Sequence, residues 1–412
     1  MTLSAGHEAA LHTALGAAAI EPGGDAGLEG VAPAATLHPG DAEALARAVG
    51  ALAACGLAAL VRGGGTHMQL GNPPRRADVV LSTRRIAGVL AFDPGEGVCR
   101  AAAGTPLAAL RAELNAGGWE LPLDPPGPGS TVGGALAAAA IGPRALGFGL
   151  PRDLVLGLDV VLADGTPTRC GGRVVKNVTG YDLAKLYTGS LGTLGVIAAA
   201  WLRLRPRPER VLVMEATLAG ADAALGVGLA AARRTSARAV ALALGPDGAA
   251  RLVVELAGDE PVVESDRAWL AAEAGAGEAP TAALDRVRRL QAEGVGPGAL
   301  HFRVSLRPSL AGVAAARLGA AGASLLLYPG LGLAWASFPG GAGEAESSAF
   351  EAVSAAAREA GGSWLLERAP RAARAGRDAF GDAPQLVPLT RALKARFDPE
   401  GLLNPGRQLG HT

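Results

Sequence analysis

The chain has 412 residues, with 38 basic and 38 acidic side chains, so its formal net charge is zero. A balanced charge argues against a protein that binds nucleic acid or another polyanion. Hydrophobic residues make up 49% of the chain and aromatic residues only 4%, which excludes disorder over most of the chain and predicts cores in which backbones pack closely.

The first half of the chain has the pattern of an α+β domain. Asp41 precedes an alanine-rich segment and is a predicted helix N-cap, and the apolar run LAALV that follows leads into glycines. ADVVLST, GVCRAAAG and GLDVVLADG are predicted strands, while TPLAALRAELNAGG is a predicted helix. We predict an N-terminal arm over residues 1–27 and an α+β domain over residues 28–205.

A change of composition at RLRPRPER predicts a domain boundary, because alternating prolines and arginines follow a strand there. Beyond it, strands such as VLVMEATL, RLVVELAG and HFRVSL alternate with alanine-rich helices, which predicts a two-layer α/β domain over residues 206–385. Residues 386–412 contain a short helix and a Pro/Gly turn. They are too few for a domain, so we expect them to return to the first one.

Membrane and metal signals are weak. The uncharged stretch from Leu318 to Gly343 is broken by prolines and glycines, so it predicts a buried hairpin of ASLLL and LAWASF and no bilayer span. Three separated cysteines and six scattered histidines predict no metal site. The first residues lack the pattern of a secretory signal, and we therefore expect a cytoplasmic protein.

The segment RGGGTHMQLG, from Arg62 to Gly71, follows a predicted strand. Three consecutive glycines let backbone N–H groups converge and bind an anion such as a pyrophosphate. A tight turn between a strand and a helix is the alternative explanation for these glycines.

A second cluster, PGPGSTVGGALAAAAIGPR, runs from Pro126 to Arg144. PLDPP precedes it where a Rossmann fingerprint requires a parallel strand, so we interpret it as a second backbone cradle. The hydroxyl groups of Ser130 and Thr131 would then be available to phosphate oxygens. GxxxxGK[ST] and GxSxG motifs are both missing from the sequence, which argues against nucleotide hydrolysis and α/β-hydrolase chemistry.

A third cluster, GGRVVKNVTGYDLAKLYTGSLGTLGVI, occupies residues 171–197. It resembles a segment of the FAD-linked oxidoreductases of the vanillyl-alcohol oxidase and para-cresol methylhydroxylase family. The two earlier clusters are similar to that family's flavin loops in the same order, and FDPEGLLNPGR, residues 397–407, resembles its closing motif. The resemblance implies an α+β fold with a two-subdomain FAD-binding domain and a smaller, ferredoxin-like α/β cap domain.

The resemblance also implies which residues contact the cofactor. The first two loops would hold the FAD pyrophosphate, the third segment would lie beside the flavin, and its end would meet the adenine. The implied residues are Arg62, Gly63, Gly64, Gly65, Thr66 and His67, then Gly129, Ser130, Thr131, Gly133 and Gly134, and finally Gly180, Asp182, Leu183, Gly195 and Ile197. Relatives that attach flavin covalently place a histidine after two glycines. Gly65 holds that place here, so we expect non-covalent FAD.

Within the family, GPR at residues 142–144 and the run that follows are most similar to the FAD-binding E subunits of bacterial glycolate oxidases. This implies a subunit of a complex that oxidises glycolate to glyoxylate, with a second FAD-binding catalytic subunit and an iron–sulfur subunit as partners. Membrane contact at the inner face would come through those partners. Two alternatives stay open: a self-sufficient D-2-hydroxy-acid (D-lactate) dehydrogenase, and a non-catalytic flavin-binding scaffold.

The sequence identifies no catalytic residue firmly. His301 is the only histidine of the predicted cap, which argues against the histidine-rich metal site of related dehydrogenases. Arg303, Arg307 and Arg407 are candidates for binding a substrate carboxylate with two hydrogen bonds. In HFRVSLRP, apolar and polar residues also alternate as they do in a strand. The alternative is therefore that Arg303 and Arg307 simply face solvent.

Overall fold

The computed structural model describes residues 2–24, 27–28, 30–173, 181–245, 248–341 and 343–412. Contacts divide the chain into a first unit, made of Met1–Ala140, Leu150–Arg207 and Ala383–Thr412, and a second unit, made of Ile141–Gly149 and Pro208–Asp382. The sequence gives no sign that Ile141–Gly149 groups with the second unit.

The described α-helices alternate with strands along most of the chain. They are α1 (Ala5–Leu15), α2 (Ala42–Cys55), α3 (Leu107–Ala116), α4 (Val132–Ala137), α5 (Ala145–Phe148), α6 (Pro151–Leu154), α7 (Leu183–Tyr187), α8 (Ala221–Ala231), α9 (Glu260–Ala274), α10 (Ala282–Glu293), α11 (Ala311–Ala320), α12 (Glu344–Glu359), α13 (Arg371–Arg374) and α14 (Val387–Phe397).

The described strands form separate sheets in the two units. They are β1 (Ile20–Pro22), β2 (Ala35–Leu37), β3 (Ala59–Arg62), β4 (Val79–Ser82), β5 (Val89–Asp93), β6 (Val98–Ala102), β7 (Trp119–Glu120), β8 (Val155–Val161), β9 (Pro167–Gly171), β10 (Val196–Arg203), β11 (Arg205–Pro206), β12 (Arg210–Ala219), β13 (Ala237–Leu244), β14 (Ala249–Gly258), β15 (Gly277–Ala279), β16 (Leu300–Ser305), β17 (Ser324–Tyr328), β18 (Leu333–Phe338) and β19 (Ser363–Arg368).

A small sheet forms the N-terminal part of the first unit, in the order β1-β2-β4-β3, with β2, β4 and β3 parallel. The Asp41 carboxylate accepts a hydrogen bond from the Ala44 N–H at 2.7 Å, which confirms the predicted N-cap of α2. Leu45 on the buried face of α2 packs with Leu11 of α1 in one aliphatic cluster. Strand β3 ends at Arg62, directly before the three glycines.

An antiparallel sheet, in the order β5-β6-β10-β8-β9, forms the other part of the first unit. The predicted strands GVCRAAAG and GLDVVLADG are confirmed as β6 and β8, and the predicted helix TPLAALRAELNAGG as α3. Leu110 of α3, Leu136 of α4 and Tyr187 of α7 pack together in the core of this sheet.

The second unit is built on an antiparallel sheet in the order β15-β12-β14-β13-β17-β18-β16-β19. One face, with Met214 and Val254, packs against α8, α9, α11 and α12. The alternate residues Val213 and Val253 face α10. The predicted pattern of strands and alanine-rich helices is therefore confirmed, with a helix on the second face as well.

The predicted hairpin is present, because β17 and β18 pair antiparallel with Ser324 opposite Ser337. The uncharged stretch folds into this sheet, where Trp335 is buried. Within the described parts of the chain, no helix combines the length and the apolar character that crossing a bilayer requires.

The C-terminal segment groups with the first unit and adds to its small sheet. The Ala59 N–H donates to the Leu402 carbonyl at 2.8 Å, and the Asn404 N–H donates to the Ala59 carbonyl at 2.9 Å. Ala59 and Leu403 thus form a parallel bridge beside β3. This bridge places the closing motif next to the glycine loop.

Candidate functional site

A groove that is partly open to solvent lies in the first unit where β3 ends. Four parts of the chain contribute most of its wall, and each contains residues of a motif singled out in the sequence. The lining residues are Val61, residues 63–68 and Thr83, then Gly133, Gly134, Ala137 and Ala138, then Leu191, Gly192 and residues 195–197, and finally Asn404 and Arg407.

The two glycine loops, 65 residues apart in sequence, lie in direct contact. A Cβ atom on Gly64 would overlap the carbonyl oxygen of Gly129, so only glycine permits this approach. The Thr131 hydroxyl accepts hydrogen bonds from the Gly64 N–H and the Gly134 N–H, each at 3.3 Å. One side chain therefore ties the first loop to the second.

The hydroxyl groups of the second loop are used within the protein. Ser130 Oγ lies 3.1 Å from Thr66 Oγ1, which in turn lies 2.9 Å from Nδ1 of His67. Ser130 and Thr131 are both buried. These hydroxyls therefore join the two loops to each other.

The first loop keeps backbone donors available. Among the described residues, the N–H groups of Gly63, Gly65 and Thr66 donate to no protein acceptor. Gly65 has a φ of +82°, and a Cβ there would lie 3.0 Å from Nε of Arg62. Converging N–H groups beside a guanidinium suit an anion. The residues present thus fit a pyrophosphate group at this loop.

The third predicted segment is only partly described, because Gly180 lies outside the described residues. Asp182 is exposed and lies 3.4 Å from Nζ of Lys185. Neither Asp182 nor Leu183 lines the groove. Gly195 and Ile197, at the end of the same segment, do line it. A Cβ on Gly195 would lie 2.6 Å from Cγ1 of Val160, so a glycine is needed where this wall turns into β10.

Arg407, a candidate for binding a substrate carboxylate, is buried and lines the groove. Its Nη2 donates to the Met68 carbonyl at 2.6 Å and also to the Leu70 carbonyl. Arg407 therefore fastens the C-terminal segment to the loop that follows the three glycines. A guanidinium bound to two carbonyl groups of its own chain is a structural anchor for that loop.

The other catalytic candidates lie in the second unit and are engaged there or exposed. His301 is buried, and its Nε2 lies 2.8 Å from the Gln291 carbonyl. Burial lowers the pKa of His301 and favours a neutral ring. Nε of Arg303 lies 3.3 Å from Oε1 of Glu367, so Arg303 is ion-paired within the second unit. Arg307 is exposed.

Two residues of the groove have unusual backbones that sequence reasoning missed. Leu191 and Asn404 have φ values of +54° and +45°, which are uncommon for residues other than glycine and concentrate at functional sites. The only available signal was position, since Asn404 lies inside the closing motif and Leu191 inside the GSLGTLG run. Neither position reveals a left-handed backbone.

Across the described ranges, no group of three or more His, Cys, Asp or Glu side chains is arranged to hold a metal ion.

Part of the first unit is similar in sequence to known proteins. Residues 33–171 match the FAD binding domain family. The chain is 39% identical over 155 residues to glycolate oxidase subunit GlcE of Escherichia coli, covering 37% of this chain and 44% of that protein. It is 40% identical over 154 residues to a D-lactate dehydrogenase of Archaeoglobus fulgidus, covering 37% of this chain and 34% of that protein. In both cases the match spans less than half of the relative.

Solved structures extend the likeness to the whole fold. The structure of p-cresol methylhydroxylase with bound substrate superposes with a TM-score of 0.70 at 16% identity, covering 98% of this chain and 97% of that one. The predicted fold class is thereby confirmed. Residues 33–171 therefore resemble the FAD binding domain family, and the chain has the fold of p-cresol methylhydroxylase.

Proposed function

We propose that this chain is the FAD-binding subunit of a dehydrogenase that oxidises small 2-hydroxy acids, with glycolate as the substrate. The observation that carries the proposal is the groove in which two glycine loops meet, with Gly64 against Gly129. It lies within and beside the segment that matches the FAD binding domain family.

The available backbone N–H groups indicate which residues would hold the cofactor. The N–H groups of residues 63, 65 and 66 would bind the pyrophosphate with Arg62, and the main chain at residues 195–197 would meet the adenine. Bound FAD supplies a two-electron acceptor for the oxidation of a hydroxyl-bearing carbon. The protein supplies a shaped groove and fixed donors. Non-covalent attachment is supported by Gly65, which occupies the place of the attachment histidine.

The choice of glycolate rests on the similarity to a glycolate oxidase subunit. A second FAD-binding catalytic subunit and an iron–sulfur subunit are the proposed partners, and a cytoplasmic location with membrane contact through them completes this proposal. The chain's own candidates for binding a substrate carboxylate support a dependence on partners. Arg407 binds loop carbonyls, His301 is buried, and Arg303 is paired with Glu367.

These same contacts favour a second candidate, a subunit whose FAD binds but is not reduced by substrate. The similarity to a D-lactate dehydrogenase favours a third, an enzyme that acts alone on D-2-hydroxy acids. The three candidates share the FAD groove and differ in what reduces the flavin.

An anaerobic absorbance spectrum of the purified chain, before and after glycolate and then D-lactate, tests the proposal. The expected result is a flavin spectrum that glycolate bleaches only after the partner subunits are added. Bleaching of the chain alone by either acid identifies the self-sufficient enzyme, and no bleaching even with partners identifies the scaffold. A folded, colourless preparation that cannot be reconstituted with FAD contradicts all three. Acid precipitation releases the flavin if attachment is non-covalent.

A further inference from the structure

The loop at residues 398–404 and the groove are joined by a network of buried polar contacts. Asn404 Oδ1 accepts a hydrogen bond from the Val61 N–H at 2.9 Å, and its Nδ2 donates to the Leu191 carbonyl at 2.6 Å. Val61 and Leu191 both line the groove, and both lie more than 200 residues before Asn404 in the sequence. One amide thus holds two walls of the site.

The backbone around this amide is held in costly conformations. Asn404 and Leu191 are both left-handed, and a branched side chain such as Leu191 adopts that conformation only when its surroundings impose it. The Leu191 N–H donates to the Ala137 carbonyl at 2.8 Å, so both polar groups of this peptide segment are bound. A Cβ on Gly192 would lie 2.8 Å from Nδ2 of Asn404, so a side chain at Gly192 would displace the amide.

A buried ion pair between Lys394 and Asp398 also fixes the loop at residues 398–404. Lys394 Nζ donates to the Thr193 carbonyl at 2.8 Å, to the Leu403 carbonyl at 2.7 Å and to Asp398 Oδ2 at 2.5 Å. All three donors of the ammonium group are therefore used. Asp398 also accepts hydrogen bonds from the Leu402 N–H at 3.0 Å and the Leu403 N–H at 2.8 Å.

We infer that Asn404, supported by the Lys394–Asp398 pair, is a positioning residue that couples FAD binding to docking of the C-terminal segment. The cofactor binds tightly only when Val61 and Leu191 are held by the docked segment, and bound cofactor in turn keeps that segment docked. The coupling is reciprocal because it is a free energy shared by two sites. This inference rests on the proposed FAD site.

The test compares wild-type protein with Asn404→Gly and with Arg396→Ala, an exposed position on the helix that carries Lys394. Glycine accepts a left-handed backbone without strain, so Asn404→Gly removes the amide and leaves the conformation accessible. The dissociation constant of FAD, measured by titration, should rise at least tenfold in Asn404→Gly and less than twofold in Arg396→Ala. The visible circular dichroism of bound flavin should change only in Asn404→Gly.

A second measurement follows hydrogen exchange in the C-terminal segment. Amide hydrogen exchange of peptides covering residues 398–404 should slow at least tenfold when wild-type protein binds FAD, and this protection should be lost in Asn404→Gly. Wild-type protein that fails to bind FAD overturns the proposed function itself. Wild-type protein that binds FAD without slowing exchange, or an Asn404→Gly variant with wild-type affinity, overturns the coupling alone.

Discussion

Buried cationic side chains in the two units bind different kinds of group. In the first unit, Lys394 and Arg407 donate mainly to backbone carbonyls of loops around the groove. In the second unit, Arg144 and Arg238 both bind the carboxylate of Glu255, on the central strand β14, and Arg144 Nη2 lies 2.7 Å from Oε2. The first arrangement fixes loop conformation for a ligand, whereas the second joins Ile141–Gly149 and two strands of one unit.

This difference separates buried cations that shape the groove from buried cations that stabilise a unit elsewhere. A cation that satisfies carbonyl groups shapes the main chain, and in the first unit that main chain lines a groove. Arg144 and Arg238 instead pair with a carboxylate inside the second unit, so loss of that pair should affect stability and not binding. The two kinds of variant should therefore be separable by experiment.

The largest expected effect comes from the groove. Gly64→Ala places a Cβ against the Gly129 carbonyl and should separate the two loops. We expect FAD affinity to fall at least 100-fold, about 2.7 kcal/mol, as measured by fluorescence titration. Gly40→Ala, where a Cβ meets no atom within 4 Å, is the matched control. An alanine variant that binds FAD within tenfold of wild type would show that the loops do not form the site.

Loss of the Glu255 carboxylate should give the next largest effect, on stability alone. Glu255→Ala leaves Arg144 and Arg238 without their shared anion, and breaking such a buried pair costs about 3–5 kcal/mol. The free energy of unfolding, measured by urea denaturation, should fall by that amount, while FAD affinity stays within threefold of wild type. A large loss of FAD affinity would remove the distinction between the two kinds of buried charge.

The Glu255 carboxylate should also make the stability of the protein depend on pH. Burial alone would raise the pKa of Glu255, but hydrogen bonds and charge from Arg144 and Arg238 hold the pKa below its ordinary value. Its contribution to stability is therefore present above the unfolded pKa, about 4.3, and is lost as the pH falls through the lower folded pKa.

A smaller effect is expected at His301. Burial lowers the pKa of this ring, so the unfolded chain gains a proton below about pH 6.5 while the folded protein does not. Stability should then fall with decreasing pH by up to about 1.4 kcal/mol per pH unit until the folded pKa is reached. His301→Gln should flatten this slope in unfolding curves measured between pH 6.5 and 5. An equal change in the exposed control, His12→Gln, would contradict the assignment.

The smallest effect is expected for an exposed pair in the second unit. Arg317 Nε donates to Glu359 Oε2 at 2.7 Å, but both side chains are about half exposed. Solvent screening limits such pairs to about 0–1 kcal/mol. Glu359→Ala should therefore lower the melting temperature far less than Glu255→Ala. Comparable losses would mean that burial does not decide the strength of these pairs.

Much of this architecture could be predicted from the sequence where local chemistry is distinctive. Asp41 before an alanine-rich run marks a helix start, and YPGLG between apolar runs marks a hairpin turn. The strand β13, ARAVALAL, carries no such signal, because alanine favours helices. It is a strand because β14 and β17 pair with it on both sides.

The site could be predicted only in part for a similar reason. A glycine triplet supplies positions without a Cβ, which the close approach of Gly64 to Gly129 requires, so residue types alone could predict the first loop. The roles of Asn404 and Arg407 depend on partners more than 200 residues away in sequence, such as Leu191 and Met68. No local pattern encodes which carbonyl a distant side chain will bind.

The first unit is assembled from three separate stretches of chain, and this has a consequence for synthesis in the cell. The ribosome makes residues 208–382 before it makes Asn404 and Arg407, and domains generally fold as their chain emerges. The glycine loops are therefore synthesised well before Asn404 and Arg407, and the whole second unit is translated in between. Cofactor capture becomes a late event of biosynthesis, and a nascent chain stalled before residue 383 should emerge without flavin.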